Sequence, residues 1–233
     1  MRLITIAGPP SSGKTSVIIK TVEYLLKQHM KVGIVKFDCL STSDNQLFER
    51  LGLPVKVGIS GNLCPDHFFV SNIDDCVSWG TQLGLNILIS ESAGLCNRCS
   101  PHIKGVLAVC VIDNLAGVHT PKKIGPMLKL ADIVVITKGD IVSQAEREVF
   151  AFKVRQANPR AEIVFVNGIT GQGSFDLSVK FQQALVTESL EGNRLRFSMP
   201  AAICPYCVGE TRIGRDHQRG NVKKMAFPEL IHP

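Results

Sequence analysis

Residues 8–15 near the N-terminus read GPPSSGKT, which has the composition and spacing of a phosphate-binding loop. Glycines let backbone N–H groups turn toward phosphate oxygens, Lys14 can neutralise the β and γ oxygens, and the Thr15 hydroxyl can bind Mg²⁺. The sequence therefore predicts a site for a nucleoside triphosphate and Mg²⁺. The loop residues that we predict to contact it are Gly8, Pro9, Ser11, Ser12, Gly13, Lys14, Thr15 and Ser16.

Two further residues follow the apolar run LNILIS and could complete the phosphate site. Glu91 could hold Mg²⁺ or its water, and the backbone N–H of Gly94 could meet the γ-phosphate. Both lie at the carboxyl end of a predicted strand, where open α/β sheets bind ligands.

Two later segments could hold a purine base. The sequence TKGD at 137–140 resembles the guanine-reading N-K-x-D element, in which Asp140 would accept hydrogen bonds from the base and the Lys138 stem would lie against the ring. Thr137 replaces the usual Asn, so the pattern favours GTP and leaves ATP as an alternative. The loop VNGITGQG, with Asn167 and Gly168, would close over the base.

The segment ESAGLCNRCSPH at 91–102 contains three potential ligands for a soft or borderline metal ion, namely Cys96, Cys99 and His102. Thiolates and imidazole suit nickel or zinc and not Mg²⁺. Since these residues directly follow a loop expected to respond to the γ-phosphate, nucleotide hydrolysis could change the metal ligands. The alternative is that the cysteines only pack in the core.

Composition narrows the function classes. The 233 residues carry a formal charge of +6, but the basic residues are scattered and aromatic residues make up only 6%, so we expect no nucleic-acid partner. No apolar run reaches the roughly 20 residues of a membrane span. We expect a cytoplasmic protein without membrane contact, in which the eight cysteines are not paired as disulfides.

These residues must be positioned by elements that alternate along the chain. Apolar runs predict strands at 2–7, 31–37, 85–90, 106–112, 132–137 and 162–166, and helical patterns lie at 14–29, 66–82, 122–130, 143–157 and 173–187. Such alternation predicts an α/β fold with a mostly parallel sheet and helices on both faces. We expect a nucleotide-binding domain over 1–187 and an irregular extension over 188–233.

The chain resembles the nickel-insertion GTPases of the UreG and HypB type, which are SIMIBI-class P-loop GTPases. The resemblance covers about residues 1–187 and is carried by GPPSSGKT, by DCLSTSD at 38–44 and by the path from VIDNLAGVHTPKKIGPM to TKGD. It implies that Asp38, in the first switch, binds Mg²⁺ or positions the attacking water together with Glu91. Because Lys14 would contact the phosphate charge, we expect hydrolysis to depend on it.

Metal-binding motifs of that family are present with changes. GNLCPDH resembles a Cys-Pro-His motif with Asp66 inserted, so Cys64 and His67 are candidate ligands. Either Cys96 or Cys99 could match the cysteine that follows the second-switch glycine. The pair Cys204 and Cys207 in CPYC has no counterpart in the resemblance; a C-x-x-C pair supplies half of a zinc or iron–sulfur site, or it is a redox-inert turn.

The resemblance implies a GTPase that couples hydrolysis to delivery of nickel, or of another metal or metallocofactor, to a client metalloenzyme. Its partners would be that client, other maturation proteins and a second copy of the chain, in a homodimer that shares a metal site. Two alternatives remain open: an iron–sulfur-bridged dimeric ATPase and a small-molecule phosphotransferase.

Overall fold

The computed structural model describes residues 1–40, 44–95, 99–197, 209–218 and 220–227. In these ranges seven strands form one sheet: β1 Arg2–Ala7, β2 Val32–Asp38, β3 Val55–Ile59, β4 Ile87–Glu91, β5 Leu107–Asp113, β6 Ile133–Thr137 and β7 Glu162–Phe165. The α-helices are α1 Lys14–Lys27, α2 Asn45–Glu49, α3 Pro65–Gln82, α4 Thr120–Lys123, α5 Pro126–Lys129, α6 Gln144–Ala157 and α7 Ser174–Gln183.

The sheet is parallel throughout, with the strand order β3-β2-β4-β1-β5-β6-β7. The first strand is central and lies between β4 and β5. Since all strands point the same way, their carboxyl ends meet at one edge, and the loops after β1, β2, β4, β5 and β6 are neighbours there. That edge carries the predicted nucleotide-binding residues.

Helices cover both faces of the sheet, which confirms the predicted fold class. Ile4 and Ile6 of β1 pack with residues of α1 and α7 on one face. Leu3 faces the other side and packs with α3, and Ala7 packs there with α5 and α6. The period of two along a strand places alternate apolar residues in separate cores. No helix in the described ranges has both the length and the apolar composition to cross a bilayer.

All six predicted strands are present, and three details differ from the prediction. The edge strand β3 and the short helix α2 were not predicted. The pattern at 122–130 is not one helix, because Gly125 has a φ of 67° and separates α4 from α5. The helix predicted at 173–187 ends at Gln183.

The extension after residue 187 packs on the sheet domain over its described part. Leu190, Leu195 and Ile213 are buried in the same cluster as α3. The Arg196 guanidinium donates to both carboxylate oxygens of Asp132, at 2.6 and 2.7 Å. The core of the domain thus includes residues from beyond 187.

A second attachment of the extension runs along α3. The buried Asn72 amide donates to the Lys223 carbonyl at 2.9 Å and accepts from the Met225 N–H at 2.7 Å. The Lys224 ammonium lies 2.8 Å from an Asp75 carboxylate oxygen. Residues 223–225 therefore lie against the helix that begins with the Cys64 motif.

Candidate functional site

The phosphate-binding loop connects β1 to α1 and has the backbone that its glycines allow. Gly13 caps α1 with a φ of 91°, and Ser11 has a φ of 59°. The Lys14 ammonium reaches back across the loop and donates to the carbonyls of Gly8 and Pro9, at 3.0 Å each. The Ser12 hydroxyl is buried and has no hydrogen-bond partner among the described residues. The loop thus offers N–H groups, a cation and an unpaired hydroxyl at a helix N-terminus, a combination that suits phosphate.

Directly behind Lys14 lies a cluster of four polar side chains. The Thr15 hydroxyl is 3.1 Å from Asp44 Oδ2 and 3.0 Å from Glu91 Oε1. The Lys36 ammonium is 2.7 Å from the same Asp44 oxygen and 3.1 Å from the same Glu91 oxygen. One hydroxyl and one ammonium therefore share two carboxylate oxygens.

The charges of this cluster shift the pKa values of its members. Burial lowers the pKa of Lys36, but the Glu91 charge and hydrogen bonds to Asp44 and Glu91 outweigh it, so the net shift is upward. Burial lowers the pKa of Lys14, and the positive charge of Lys36 lowers it further, against the opposing charges of Glu91 and Asp38. The two ammonium groups are thus near enough to repel each other.

The residues of this cluster fit a Mg²⁺ ion. A hydroxyl and two carboxylates converge, which is the oxygen donor set that Mg²⁺ prefers. The second oxygen of Glu91, Oε2, is buried and has no hydrogen-bond partner among the described residues. A buried carboxylate oxygen without a donor is costly, and a bound cation would relieve that cost.

The structure places Asp38 beside this cluster and not in contact with Thr15. One Asp38 oxygen accepts from the Cys39 N–H at 2.7 Å, and its charge acts on Lys14. Asp44, at the other end of the stretch DCLSTSD, makes the contact with Thr15 instead. A role for Asp38 toward Mg²⁺ or water stays a prediction.

Sequence reasoning missed Asp44 and Lys36 as site residues. For Lys36 a signal existed, because a lysine inside the apolar run KVGIVKF must bury its charge if the run is a strand. Its ammonium then needs a carboxylate partner. For Asp44 the only signal was its place in the predicted switch.

The loop after β4 touches the phosphate-binding loop. Gly94 has a φ of 69°, and a Cβ at this position would overlap the Gly8 carbonyl. The Ser92 N–H donates to the Ile6 carbonyl at 3.0 Å, which fixes the start of the loop at the end of β1. A backbone movement at Gly94 would therefore displace Gly8.

The base-reading element is attached to the phosphate-binding loop by two side chains. The Thr137 hydroxyl donates to the Ser12 carbonyl at 2.7 Å. The Lys138 ammonium donates to the Ser11 carbonyl at 2.8 Å and lies 3.5 Å from an Asp113 oxygen. The Thr137 hydroxyl thus holds the phosphate-binding loop in place, although Thr137 lacks the amide group of the usual Asn.

The predicted base-closing loop lies at the same edge. Asn167 Oδ1 accepts from the N–H groups of Ile169 and Thr170, at 2.8 and 3.0 Å, which shapes the turn. A Cβ on Gly168 would come within 2.9 Å of the Ser16 side chain, so the turn packs tightly on α1. Asp140, in the short 3-10 helix Gly139–Ile141, and Asn167 both line a cavity of about 770 Å³.

The CPDH motif and Cys99 come together in the structure. Cys64 precedes α3, whose first turn begins with Pro65 and contains Asp66. Burial raises the pKa of Asp66 to about 6. The Asp66 carboxylate also accepts a hydrogen bond from the Cys99 thiol, and this hydrogen bond acts on the pKa in the opposite direction. Burial also lowers the pKa of His67, one residue further along α3.

His102 is placed differently from the other predicted metal ligands. Its ring is fully buried, with Nδ1 3.2 Å from the Thr5 hydroxyl and Nε2 2.9 Å from the Met127 carbonyl. Burial lowers its pKa to about 4. Both ring nitrogens are therefore occupied in the core between β1 and α5.

The metal site is not complete within the described part of the chain. Over those ranges no three side chains of the His, Cys, Asp and Glu types are arranged to hold an ion. The predicted ligands Cys96, Cys204 and Cys207 lie outside the described residues.

The sequence of the nucleotide-binding part matches a known family. A model described as the CobW/HypB/UreG nucleotide-binding domain matches residues 2–165. The chain belongs to this family. Membership agrees with the geometry of the phosphate-binding loop and with the predicted resemblance to the nickel-insertion GTPases.

Relatives of this CobW/HypB/UreG protein extend over most of its length. It is 46% identical over 225 residues to an uncharacterised protein of Methanocaldococcus jannaschii, and the match covers 97% of this chain and 96% of that protein. It is 30% identical over 208 residues to the urease accessory protein UreG of Trichodesmium erythraeum, with coverage of 80% and 96%.

Solved structures share the fold. HypB of Archaeoglobus fulgidus matches with a TM-score of 0.62 and 22% identity, covering 78% of this chain and 89% of its own. HypB of Helicobacter pylori, crystallised in complex with nickel, matches with a TM-score of 0.63 and 18% identity, covering 81% and 91%.

Proposed function

We propose that this protein is a cytoplasmic GTPase that couples hydrolysis of GTP to delivery of a metal, nickel in the first instance, to a client metalloenzyme. Family membership and the phosphate-binding loop support the nucleotide part. The described contacts between nucleotide loops and thiol-bearing segments support the metal part.

Each nucleotide-site residue has a role in this proposal. Lys14 binds the β and γ oxygens, and Thr15, Asp44 and Glu91 would hold Mg²⁺, which would neutralise developing charge on the phosphates. Asp38 and Glu91 orient the attacking water, and Gly94 donates its N–H to the γ-phosphate. Asp140 accepts from the guanine N–H groups, and Lys138 and Asn167 shape the base pocket.

One observation carries the coupling. The loop after β4 places Gly94 in close contact with Gly8 of the phosphate-binding loop. The same chain segment continues to Cys99. The Cys99 thiol contacts Asp66 in the first turn of α3, next to Cys64. A change in the phosphate group bound near Gly94 could therefore move Cys99 through the short stretch of chain that joins the two residues.

The proposed metal ligands are Cys64 and Cys99, with His67 and Cys96 completing the set. In this proposal a homodimer brings two such sets together. Nickel or zinc suits thiolate and imidazole donors. The pair Cys204 and Cys207 is a second candidate site, and an iron–sulfur cluster there would colour the protein brown under anaerobic purification.

The deciding experiment titrates nickel and zinc into nucleotide-free, GDP-bound and GTP-analogue-bound protein. We expect the dissociation constant to change by roughly 5- to 150-fold between nucleotide states, the range of ordinary allosteric coupling. Cys64→Ser and Cys99→Ser should weaken binding at least tenfold. Cys39→Ser is the matched control, because Cys39 lies near the site, beside Ser60 and Gly61, without belonging to the proposed ligand set.

Two results would contradict the proposal. Equal metal affinity in all three nucleotide states would separate the metal from the nucleotide. Binding that survives Cys64→Ser and Cys99→Ser but is lost in Cys204→Ser or Cys207→Ser would move the site to the extension. Lys14→Ala and a comparison of GTP with ATP test the nucleotide part separately.

A further inference from the structure

The position of Lys36 goes beyond what a Mg²⁺–nucleotide site requires. Its side chain is 6% exposed, and its ammonium contacts Asp44 Oδ2 and Glu91 Oε1. These are the two oxygens that also contact Thr15. A lysine thus occupies the donor set that fits the metal.

The burial of Glu91 explains why a cation is needed there. The Glu91 side chain is 2% exposed and carries one oxygen without a donor among the described residues. Removing a carboxylate from water is unfavourable unless a positive charge is close. In the metal-free protein, Lys36 supplies that charge.

We propose that Lys36 is an internal counter-cation that replaces Mg²⁺ in the metal-free protein and competes with it for Asp44 and Glu91. This inference rests on the proposed Mg²⁺–nucleotide site. Competition means that a metal ion must displace the ammonium before it can bind both oxygens. Metal affinity without nucleotide is then lowered by the strength of the lysine contacts.

Displacement of Lys36 also couples the metal to the nucleotide. Lys36 and Lys14 already repel each other. When a metal ion takes the two carboxylates, Lys36 loses its ion-pair partners and Lys14 loses the opposing charge of Glu91, and phosphate can replace that negative charge. Nucleotide should therefore raise metal affinity more in the parent protein than in a variant without the Lys36 charge, and the reverse effect must have the same factor.

The test uses Mn²⁺ as a paramagnetic substitute for Mg²⁺ and measures free Mn²⁺ by electron paramagnetic resonance. Nucleotide-free protein is compared as parent, Lys36→Met and Lys153→Met. Lys153, on α6, contacts Gln156 and serves as the matched loss of one charge outside the site. We expect Lys36→Met to bind Mn²⁺ at least tenfold more tightly than the parent, and Lys153→Met to bind as the parent does.

The second measurement repeats the Mn²⁺ titration in the presence of GDP. GDP should raise Mn²⁺ affinity by a larger factor in the parent than in Lys36→Met. Equal or weaker Mn²⁺ binding by folded Lys36→Met would overturn the proposal. A parent protein that binds no nucleotide would instead refute the nucleotide site itself, so the two failures are distinguishable.

If Lys36→Met folds poorly, thermal unfolding with and without metal tests the proposal instead. A metal that replaces the lost ammonium should raise the thermal midpoint of Lys36→Met more than that of the parent. A variant that stays unfolded at saturating Mn²⁺ and Mg²⁺ would show that Lys36 has a structural role that no metal can replace, and would overturn the proposal.

Discussion

At the scale of single residues, buried polar groups divide into those with a hydrogen-bond partner and those with an atom that has no partner in the part of the chain that the structure describes. Thr137 and His102 belong to the first class, since each joins neighbouring segments through hydrogen bonds. Ser12 and Glu91 belong to the second, each with a buried oxygen that has no partner among the described residues. Such an oxygen is a better indicator of a ligand than burial alone.

His102 should make the stability of the apo protein depend on pH. Its folded pKa, about 4, is below the ordinary 6.5, so the unfolded chain takes up a proton first on acidification. The stabilising contribution is complete above pH 6.5 and is lost as pH falls toward 4, by about 3 kcal/mol in all. Urea unfolding between pH 7 and 4 should show this loss in the parent and not in His102→Gln.

The exposed His119 provides the control for this measurement. His119→Gln should keep the pH dependence of the parent. The same slope in His102→Gln and in the parent between pH 6.5 and 5 would mean that His102 already titrates in the folded protein.

Lys14, Thr15 and Glu91 could be predicted from sequence because each belongs to a short motif next to a strand. For Lys36 a signal existed, as a charge inside an apolar run, but its contacts with Asp44 and Glu91 could not be predicted because they depend on how distant segments meet in the fold. His102 illustrates the opposite case. Its spacing from Cys96 and Cys99 indicated a shared site, but a spacing of three positions does not fix the direction of a side chain, and the His102 ring lies in the core.

At the scale of elements, the nucleotide site depends on the close contact of two loops. The loop after β4 can approach the phosphate-binding loop because Gly94 has no Cβ. The edge strand β3 and the helix α2 were missed from the sequence for a different reason. Both are only five residues long, and β3 is mostly half-buried, so neither gives a long periodic pattern.

Gly94→Ala should impair nucleotide binding because the added methyl group overlaps the Gly8 carbonyl. Gly84→Ala is the matched control: Gly84 has a similar φ of 63°, but its Cβ would meet no atom within 4 Å. Both variants should lose roughly 1–3 kcal/mol of stability from backbone strain. Only Gly94→Ala should bind fluorescent GDP at least tenfold more weakly; equal binding by the two variants would contradict the loop contact.

Asn72→Leu should release the extension from α3. The change leaves the Lys223 carbonyl and the Met225 N–H without their partner, which should cost roughly 2–3 kcal/mol. Hydrogen exchange at the Met225 amide should accelerate. Lys224→Met, which removes a partly exposed ion pair with Asp75 and a hydrogen bond to the Ser71 carbonyl, should change stability less than Asn72→Leu does. Slow exchange at Met225 in Asn72→Leu would argue against this attachment.

At the scale of the whole molecule, the core extends past the nucleotide-binding domain that the sequence predicts over 1–187. Leu190, Leu195 and Ile213 lie in the α3 cluster, together with the partly buried Met225 and Phe227. The alternation of strands and helices ends before these residues, so a pattern-based boundary falls at 187. Irregular segments can bury apolar side chains without producing a period, which is why their contribution was not visible.

Truncation after Thr187 should therefore destabilise the protein strongly. Loss of three fully buried aliphatic side chains, each contributing roughly 1.5–3 kcal/mol, removes much of the 5–15 kcal/mol typical of a folded protein. Thermal unfolding of the truncated chain should begin well below that of the parent. A control that ends after Phe227 keeps all the described contacts and should unfold like the parent. Equal midpoints for both truncations would establish 1–187 as an independent domain.

The central position of β1 also has a consequence during synthesis. Arg2 pairs with Ile87 of β4, and Ile4 pairs with Leu107 of β5. The partners of β1 are therefore synthesised much later than β1 itself. At about 5–20 residues per second, the interval between residues 7 and 87 lasts on the order of 4 to 16 seconds. Throughout that time the growing chain carries the apolar segment LITIA with both edges unpaired. The nascent chain is thus most exposed to aggregation before its middle third leaves the ribosome, and chaperones that act early in translation should decide its yield.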